Sequence, residues 1–210
     1  MTASANKILR GLYVITDEKL IPQNRFTESV EQALRGGASI IQYRDKSNDS
    51  VKRTQQATAL KALCDKYHAT LIINDDIELA LRVDADGVHL GKEDANLSLT
   101  RQQLGNKIIG ASCYNQFDLA VSAEKNGADY IAFGSFFSSS TKPEAVRADS
   151  ALLAMAKKKL KIPVCAIGGI TLEQAPSLIL SGADMIAVIT DILNSNDIEY
   201  RSKQFATLFK

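Results

Sequence analysis

Three short polar runs hold the side chains best suited to chemistry. Gln42-Tyr43-Arg44-Asp45-Lys46 sets an amide and two cations at alternate positions, so an extended backbone would turn Gln42, Arg44 and Lys46 to one side. Arginine matches phosphate oxygens bidentately, and burying Gln42 and Arg44 together without partners is costly. An anionic ligand explains this run better than a frayed strand end. Asn74-Asp75-Asp76 follows the apolar run Leu71-Ile72-Ile73. Asp76 has a structural use as N-cap of a helix starting at Ile77, whereas Asp75 has none. Asp94 lies in the loop beyond Gly87-Val88-His89-Leu90. If these runs are neighbouring strands, Asp75 and Asp94 reach one point, where two carboxylates repel unless a positive charge intervenes. Oxygen donors with no cysteine nearby suit a hard cation, and Mg²⁺ commonly keeps one or two carboxylates plus phosphate oxygens. Ordinary loop acidity, of which Glu93 is an example, competes with the metal reading.

Further groups follow other apolar runs. Ser112 is a small hydrogen-bonding group, and hydroxyls from Ser138 to Thr141 precede Lys142 in a stretch suited to closing over an anion. Gly168 and Gly169 allow close backbone approach to a ligand. Thr171 and Gln174 have capping-box spacing, which predicts a helix N-terminus there. With Val188-Ile189-Thr190, this is a second candidate anion site. His89 fits either a packed or a catalytic role. His68 precedes a strand on the opposite side, a structural position, and Cys113 has no adjacent base to activate it.

These groups need a frame to bring them together. β-Branched runs occur at 11–16, 39–44, 70–74, 87–90, 107–112, 130–134, 162–168 and 185–190, the number of strands a closed parallel barrel requires. Helical spacing lies between them, as in Phe26, Val30, Ala33 and Leu34, or Leu119, Ala120 and Ala123. Continuous rather than alternating hydrophobicity within the runs predicts strands buried on both faces. Gly-Gly-Ala-Ser (36–39), Asn-Gly-Ala-Asp (126–129) and Ser-Gly-Ala-Asp (181–184) each leave a helix for a strand, with Gly37, Gly127 and Gly182 as left-handed C′ residues. An open doubly wound sheet would favour a glycine fingerprint after the first strand, and the chain instead has Asp17-Glu18-Lys19-Leu20. The reading is an α/β barrel in one domain spanning 1–210, with chemistry at the C-terminal strand ends.

The 210 residues are 45% hydrophobic, enough for one large core, and 25 Lys and Arg balance 24 Asp and Glu. No global field draws the chain to nucleic acid or an anionic membrane. Three scattered cysteines form neither a disulfide framework nor a zinc motif, and no segment reaches the length of a membrane span. A reducing, cytoplasmic setting is expected.

The ordered set LYVITD, GGASIIQYRDK, LIINDD, DGVHLGKED, IIGAS, FGSFFSSSTKP and AIGGIT resembles the thiamine-phosphate synthase family across nearly the whole chain, from Gly11 to about Ile192. The resemblance implies a TIM (β/α)8 barrel that joins 4-amino-5-hydroxymethyl-2-methylpyrimidine diphosphate to 4-methyl-5-(2-phosphoethyl)thiazole, releasing pyrophosphate. It implies that Gln42, Arg44, Lys46, Asn74, Ser112 and Lys142 hold the pyrimidine diphosphate, with Tyr43 and Asp45 in the same run, and that Asp75 and Asp94 bind Mg²⁺. Ser139, Ser140, Thr141, Gly169, Ile189 and Thr190 would hold the thiazole phosphate. Arg44, Lys46 and Lys142 are the groups expected to act on the departing charge. The family's hydroxyl loop reads T-x-T-K or S-P-T-K, and here it is Ser139-Ser140-Thr141-Lys142. Two rival readings remain: a related barrel that isomerises a thiazole phosphate, and a non-catalytic sensor of phosphate ligands.

Overall fold

The eight apolar runs become β1 Gly11–Ile15, β2 Ile40–Tyr43, β3 Thr70–Asn74, β4 Gly87–Leu90, β5 Ile108–Tyr114, β6 Tyr130–Phe133, β7 Val164–Ile167 and β8 Met185–Val188. In the computed structural model, which describes residues 9–91, 96–138, 144 and 146–210, they pair in chain order as a closed parallel barrel. Val14 opposite Val188 is part of the β1–β8 seam. The expected TIM-barrel architecture is therefore observed. Only β5 runs appreciably longer than its apolar run, because a bulge between Ser112 and Tyr114 carries the strand on to pair with Phe133, bending it at the barrel rim.

The helices are α1 Phe26–Arg35, α2 Ser50–Lys66, α3 Ile77–Arg82, α4 Leu97–Leu104, α5 Phe117–Lys125, α6 Ala151–Lys159, α7 Ala175–Leu180, α8 Thr190–Leu193 and α9 Ile198–Thr207. Most strand residues bury their side chains in one of two layers, which is why the runs lack polar alternation. Tyr13, Ile15, Ile40, Ile72, Tyr130, Ala132, Cys165, Met185 and Ala187 fill the barrel. The opposite strand faces meet the helices, with α1 contributing Phe26, Val30, Ala33 and Leu34 as its spacing predicts. Each such buried aliphatic side chain adds about 1.5–3 kcal/mol. Gly36 brings α9 onto α1: a Cβ there would lie 2.4 Å from the Glu199 carbonyl oxygen.

The repeated helix-to-strand turns are built as expected, with φ of 99°, 90° and 115° at Gly37, Gly127 and Gly182. The aspartates that close two of these turns also seat the preceding strand. Asp129 accepts from the Ile109 amide and Asp184 from the Val164 amide. This rim is architectural. The opposite rim, where the strands end, is where the polar runs collect.

Candidate active site

β2 delivers Gln42 inward and Tyr43 outward, as strand alternation requires. Gln42 is buried and, with Arg44, lines a cavity of about 1170 Å³ that opens at the C-terminal strand ends. That volume slightly exceeds the roughly 300–1,000 Å³ of an ordinary ligand pocket, so it has room for two small reactants. Arg44 is tied twice to Thr16, the residue that follows β1: its amide donates to Thr16 Oγ1 at 2.9 Å, and Thr16 Oγ1 donates back to its carbonyl at 3.2 Å. Its guanidinium faces buried Asp17 at 3.9 Å. Neither Thr16 nor Asp17 stood out in the sequence as a site residue, although both close the LYVITD run.

Lys46 does not share the cavity with Gln42 and Arg44. β2 ends at Tyr43, and Asp45 Oδ1 accepts from the Ser47 amide at 2.7 Å, a side-chain turn that ends the two-residue alternation. Lys46 instead enters an adjoining cleft lined also by Asp45, Arg53, Asn74, Asp75 and Asp76. Tyr43 lines neither space: its ring packs edge-on against Phe26, and its hydroxyl donates to Gln56 Oε1 at 2.9 Å. Asp45 is buried and paired with Lys52 at 2.7 Å. Burial alone would raise its carboxyl pKa, and the Lys52 and Ser47 hydrogen bonds more than offset this, holding it below the usual carboxylate value.

Asn74 borders both the cavity and the cleft. The chain turns sharply after it, with Asp75 at φ 61°. Asp75 Oδ2 accepts from Lys46 Nζ at 2.7 Å and from Asn74 Nδ2. Asp76 caps α3 as predicted, accepting from the Leu79 amide at 2.8 Å, and its other oxygen meets Arg53 at 2.6 Å. Both carboxylates thus line the cleft, Asp76 while capping α3 and Asp75 against Lys46.

The far wall carries Ser112, Gly169, Ile189 and Thr190, all on the cavity. Gly168 and Gly169, at φ 105° and 61°, approach this chain's own loop: a Cβ on Gly168 would lie 2.1 Å from Ser135 Oγ, and one on Gly169 would lie 2.1 Å from the Ser138 carbonyl oxygen. The close approach expected there therefore has an internal partner. The turn after Thr171 carries half of the predicted capping box, Gln174 Oε1 accepting from the Thr171 amide at 3.0 Å, but α7 itself starts at Ala175. Asp94, Ser139, Ser140, Thr141 and Lys142 lie outside the described residues.

The sequence profile of the thiamine monophosphate synthase family matches residues 12–192, which covers nearly all of the barrel and every site residue named above. The chain belongs to that family. A thiamine-phosphate synthase from Thioalkalivibrio sulfidiphilus is 47% identical over 203 residues, 96% of each chain. Another, from Methylobacillus flagellatus, is 49% identical over 210 residues, 100% of each. The solved structure of the thiamine phosphate pyrophosphorylase from Pyrococcus furiosus superposes with a TM-score of 0.86 at 37% identity, covering 95% of both chains. The chain is accordingly an enzyme of the transferase class.

The cleft offers oxygen donors from Asp45, Asn74, Asp75 and Asp76, the donor type that hard divalent cations take. Asp75 already has a cation beside it in Lys46. Among the described residues no group of three or more His, Cys, Asp or Glu side chains is arranged to hold a metal ion by itself. Mg²⁺ needs no such cage, because it typically takes one or two carboxylates and completes its shell with phosphate oxygens and water.

At the cavity floor, lined by Tyr13 and His89 with Tyr130 behind them, lies a feature that no sequence motif marked. Tyr13 and Tyr130 touch through their hydroxyls at 2.8 Å, and both are fully or almost fully buried. His89 joins them from the cavity wall: Nδ1 lies 2.9 Å from the Tyr130 hydroxyl and Nε2 lies 2.9 Å from Ser112 Oγ. Tyrosines at inward strand positions, with Gly110 between His89 and Tyr130 in register, were the available signal. Cys113 is the inert residue expected, its thiol pushed up to about 12 by burial.

Proposed function

We propose that this enzyme joins 4-amino-5-hydroxymethyl-2-methylpyrimidine diphosphate to 4-methyl-5-(2-phosphoethyl)thiazole, forming thiamine phosphate and pyrophosphate. The observation that carries this reading is the junction at Asn74, where a cavity large enough for two reactants meets a cleft of opposed Lys46 and Asp75. The pyrimidine ring lies in the cavity near Gln42, with its diphosphate extending past Arg44 and Asn74 to Lys46 and Lys142. The thiazole phosphate lies on the far wall, against Gly169, Ile189, Thr190 and the Ser139-Ser140-Thr141 run. Tyr43 and Asp45 support from outside the cavity, holding the end of β2.

The methylene–oxygen bond breaks with its electron pair leaving on the diphosphate. The amino-substituted ring delocalises the positive charge left on the methylene. The thiazole nitrogen lone pair then forms the new C–N bond. That nitrogen carries no proton to lose, so the residues need supply no general base. Arg44, Lys46 and Lys142 offset charge gathering on the leaving group, the kind of preorganised stabilisation that most lowers such barriers. Mg²⁺, held by Asp75 and Asp94, would supply further neutralisation of the diphosphate. Apolar walls from Ile15, Ala132 and Ile167 exclude water that would otherwise capture the cation. Cys64, Cys113 and Cys165 are all buried thiols, which suits a reducing cytoplasm. Among the described residues no helix is long and apolar enough to cross a membrane.

Pyrophosphate release should require both substrates and Mg²⁺ together. Full turnover in EDTA would refute the metal role. Isomerisation of a thiazole phosphate without pyrophosphate, or ligand binding without either reaction, would establish one of the rival readings.

A further inference from the structure

We propose that Tyr13, Tyr130 and His89 form a positioning chain across the barrel that orients Gln42 and Ser112 toward the edge of the pyrimidine ring. This rests on the functional reading above and extends it to three side chains outside the resemblance's binding set.

The proposed direction starts from Gln42, the contact whose donor is fixed by atom type. Gln42 Nε2 can only donate, and it donates to the Tyr13 hydroxyl at 2.6 Å. Tyr13 passes its own hydrogen to the Tyr130 hydroxyl at 2.8 Å, and Tyr130 passes its hydrogen to His89 Nδ1 at 2.9 Å. A neutral imidazole accepting at Nδ1 carries its proton on Nε2, which therefore donates to Ser112 Oγ at 2.9 Å. The Ser112 hydrogen is then directed onward into the cavity. At the other end, the Gln42 amide is pinned with its carbonyl available to accept. Five groups from β2, β1, β6, β4 and β5 thus act as one unit, presenting an acceptor on one wall and a donor on the opposite wall. An aminopyrimidine edge, with an exocyclic amine and ring nitrogens, is complementary to that pair.

Two observations show that the chain is built into the barrel. Gly110 makes room for it, since a Cβ there would lie 2.0 Å from Tyr130 Cζ. Tyr130 also stacks on His89 with ring centroids 5.5 Å apart and is absent from the cavity lining, so its hydroxyl serves the site only through its neighbours. Burial raises the pKa of both tyrosines far above the ordinary value, so they remain donors throughout the working pH range.

The test has a spectroscopic arm and a kinetic arm. The chain has 2 histidines, so ¹⁵N-histidine labelling yields two rings to assign. His89 should show the Nε2–H tautomer in wild type and a mixed or altered tautomer in Tyr130→Phe. Kinetically, Tyr130→Phe should lower kcat/KM for the pyrimidine diphosphate by about 10-fold, as expected for one lost hydrogen bond realised in the transition state. KM for the thiazole phosphate should change little, and the melting temperature should fall modestly, as expected for buried partners left without one hydrogen bond. Tyr13→Phe should do the same, and the double variant should be no worse than either single, because a chain broken once is already broken. An Nδ1–H tautomer in wild type, additive losses, or wild-type kcat/KM in Tyr130→Phe would overturn the proposal. Wild-type enzyme that releases no pyrophosphate would instead break the synthase reading, leaving the tautomer to judge the chain by itself.

Discussion

Aspartates stand at both rims of this barrel and are used in opposite ways. At the N-terminal rim, Asp86 accepts from the Leu71 amide at 2.7 Å, and Asp184 accepts from the Val164 amide at 3.0 Å while pairing with Lys157 at 2.6 Å. Asp129 repeats that pattern with the Ile109 amide and Arg101. One oxygen of each is committed to strand backbone. At the C-terminal rim, Asp75 meets Lys46, Asp45 meets Lys52 and Asp17 meets Arg44. Those partners are long cationic side chains, able to exchange a carboxylate for a phosphate without disturbing a strand. What divides the two groups is whether a carboxylate oxygen seats a strand amide: Asp86, Asp129 and Asp184 do, whereas Asp17, Asp45 and Asp75 meet cations and, for Asp17 and Asp45, loop amides.

The sharpest way to break this division is to delete one carboxylate from each rim. Asp75→Ala should reduce turnover by about 10²-fold or more, the scale of losing one electrostatic stabiliser of a transition state. Its urea midpoint should stay close to wild type, and a large drop in stability would move Asp75 into the architectural class. Gly169→Ala is a structural change made at the functional rim. With φ of 61° and a Cβ placed 2.1 Å from the Ser138 carbonyl oxygen, it should cost about 1–3 kcal/mol and raise KM for the thiazole phosphate. Unchanged stability there would show that the loop shifts freely. Asp184→Ala should cost about 1–2 kcal/mol, from a buried strand amide losing its acceptor, with kcat per folded molecule preserved. A kcat loss matching that of Asp75→Ala would erase the distinction between the rims.

The smallest effect concerns acid stability. Asp45 at the mouth and Asp84 at the base are both held below the ordinary carboxylate value, Asp84 chiefly by its Lys107 hydrogen bond. A depressed folded pKa contributes stability that is present above the unfolded value near 3.8 and is lost as pH falls through the folded one. Lys52→Met raises the Asp45 pKa, so acid unfolding should begin at higher pH. Lys107→Met should shift it less, because the Asp84 side chain is 86% exposed and that of Asp45 is 2% exposed. Acid-unfolding midpoints of the two variants, followed by circular dichroism, test the order.

Much of the frame was legible because it depends on local rules. Left-handed glycines at 37, 127 and 182 follow from turn chemistry, the N-cap at Asp76 from its place before Ile77, and the inward face of Gln42 from strand alternation. Lys46 escaped that rule because the alternation stops with the strand, at Tyr43. The role of Gly169 was only half legible: its permissive backbone is a local property, but the surface it approaches, Ser138, belongs to another loop. Tyr13 and Tyr130 were invisible as a pair, being 117 residues apart. Read singly, each is an ordinary aromatic strand residue.

By itself, the order of apolar runs, turn glycines and polar strand ends determined a parallel barrel with its chemistry at one rim, since hydrophobic periodicity and turn preference act over a few residues. Barrel closure decided the rest. It set β1 beside β8, turned hydroxyls from β1 and β6 toward each other, and divided cations that adjoin in the chain between a cavity and a cleft. Such contacts arise from packing in three dimensions, where sequence separation is no guide to distance.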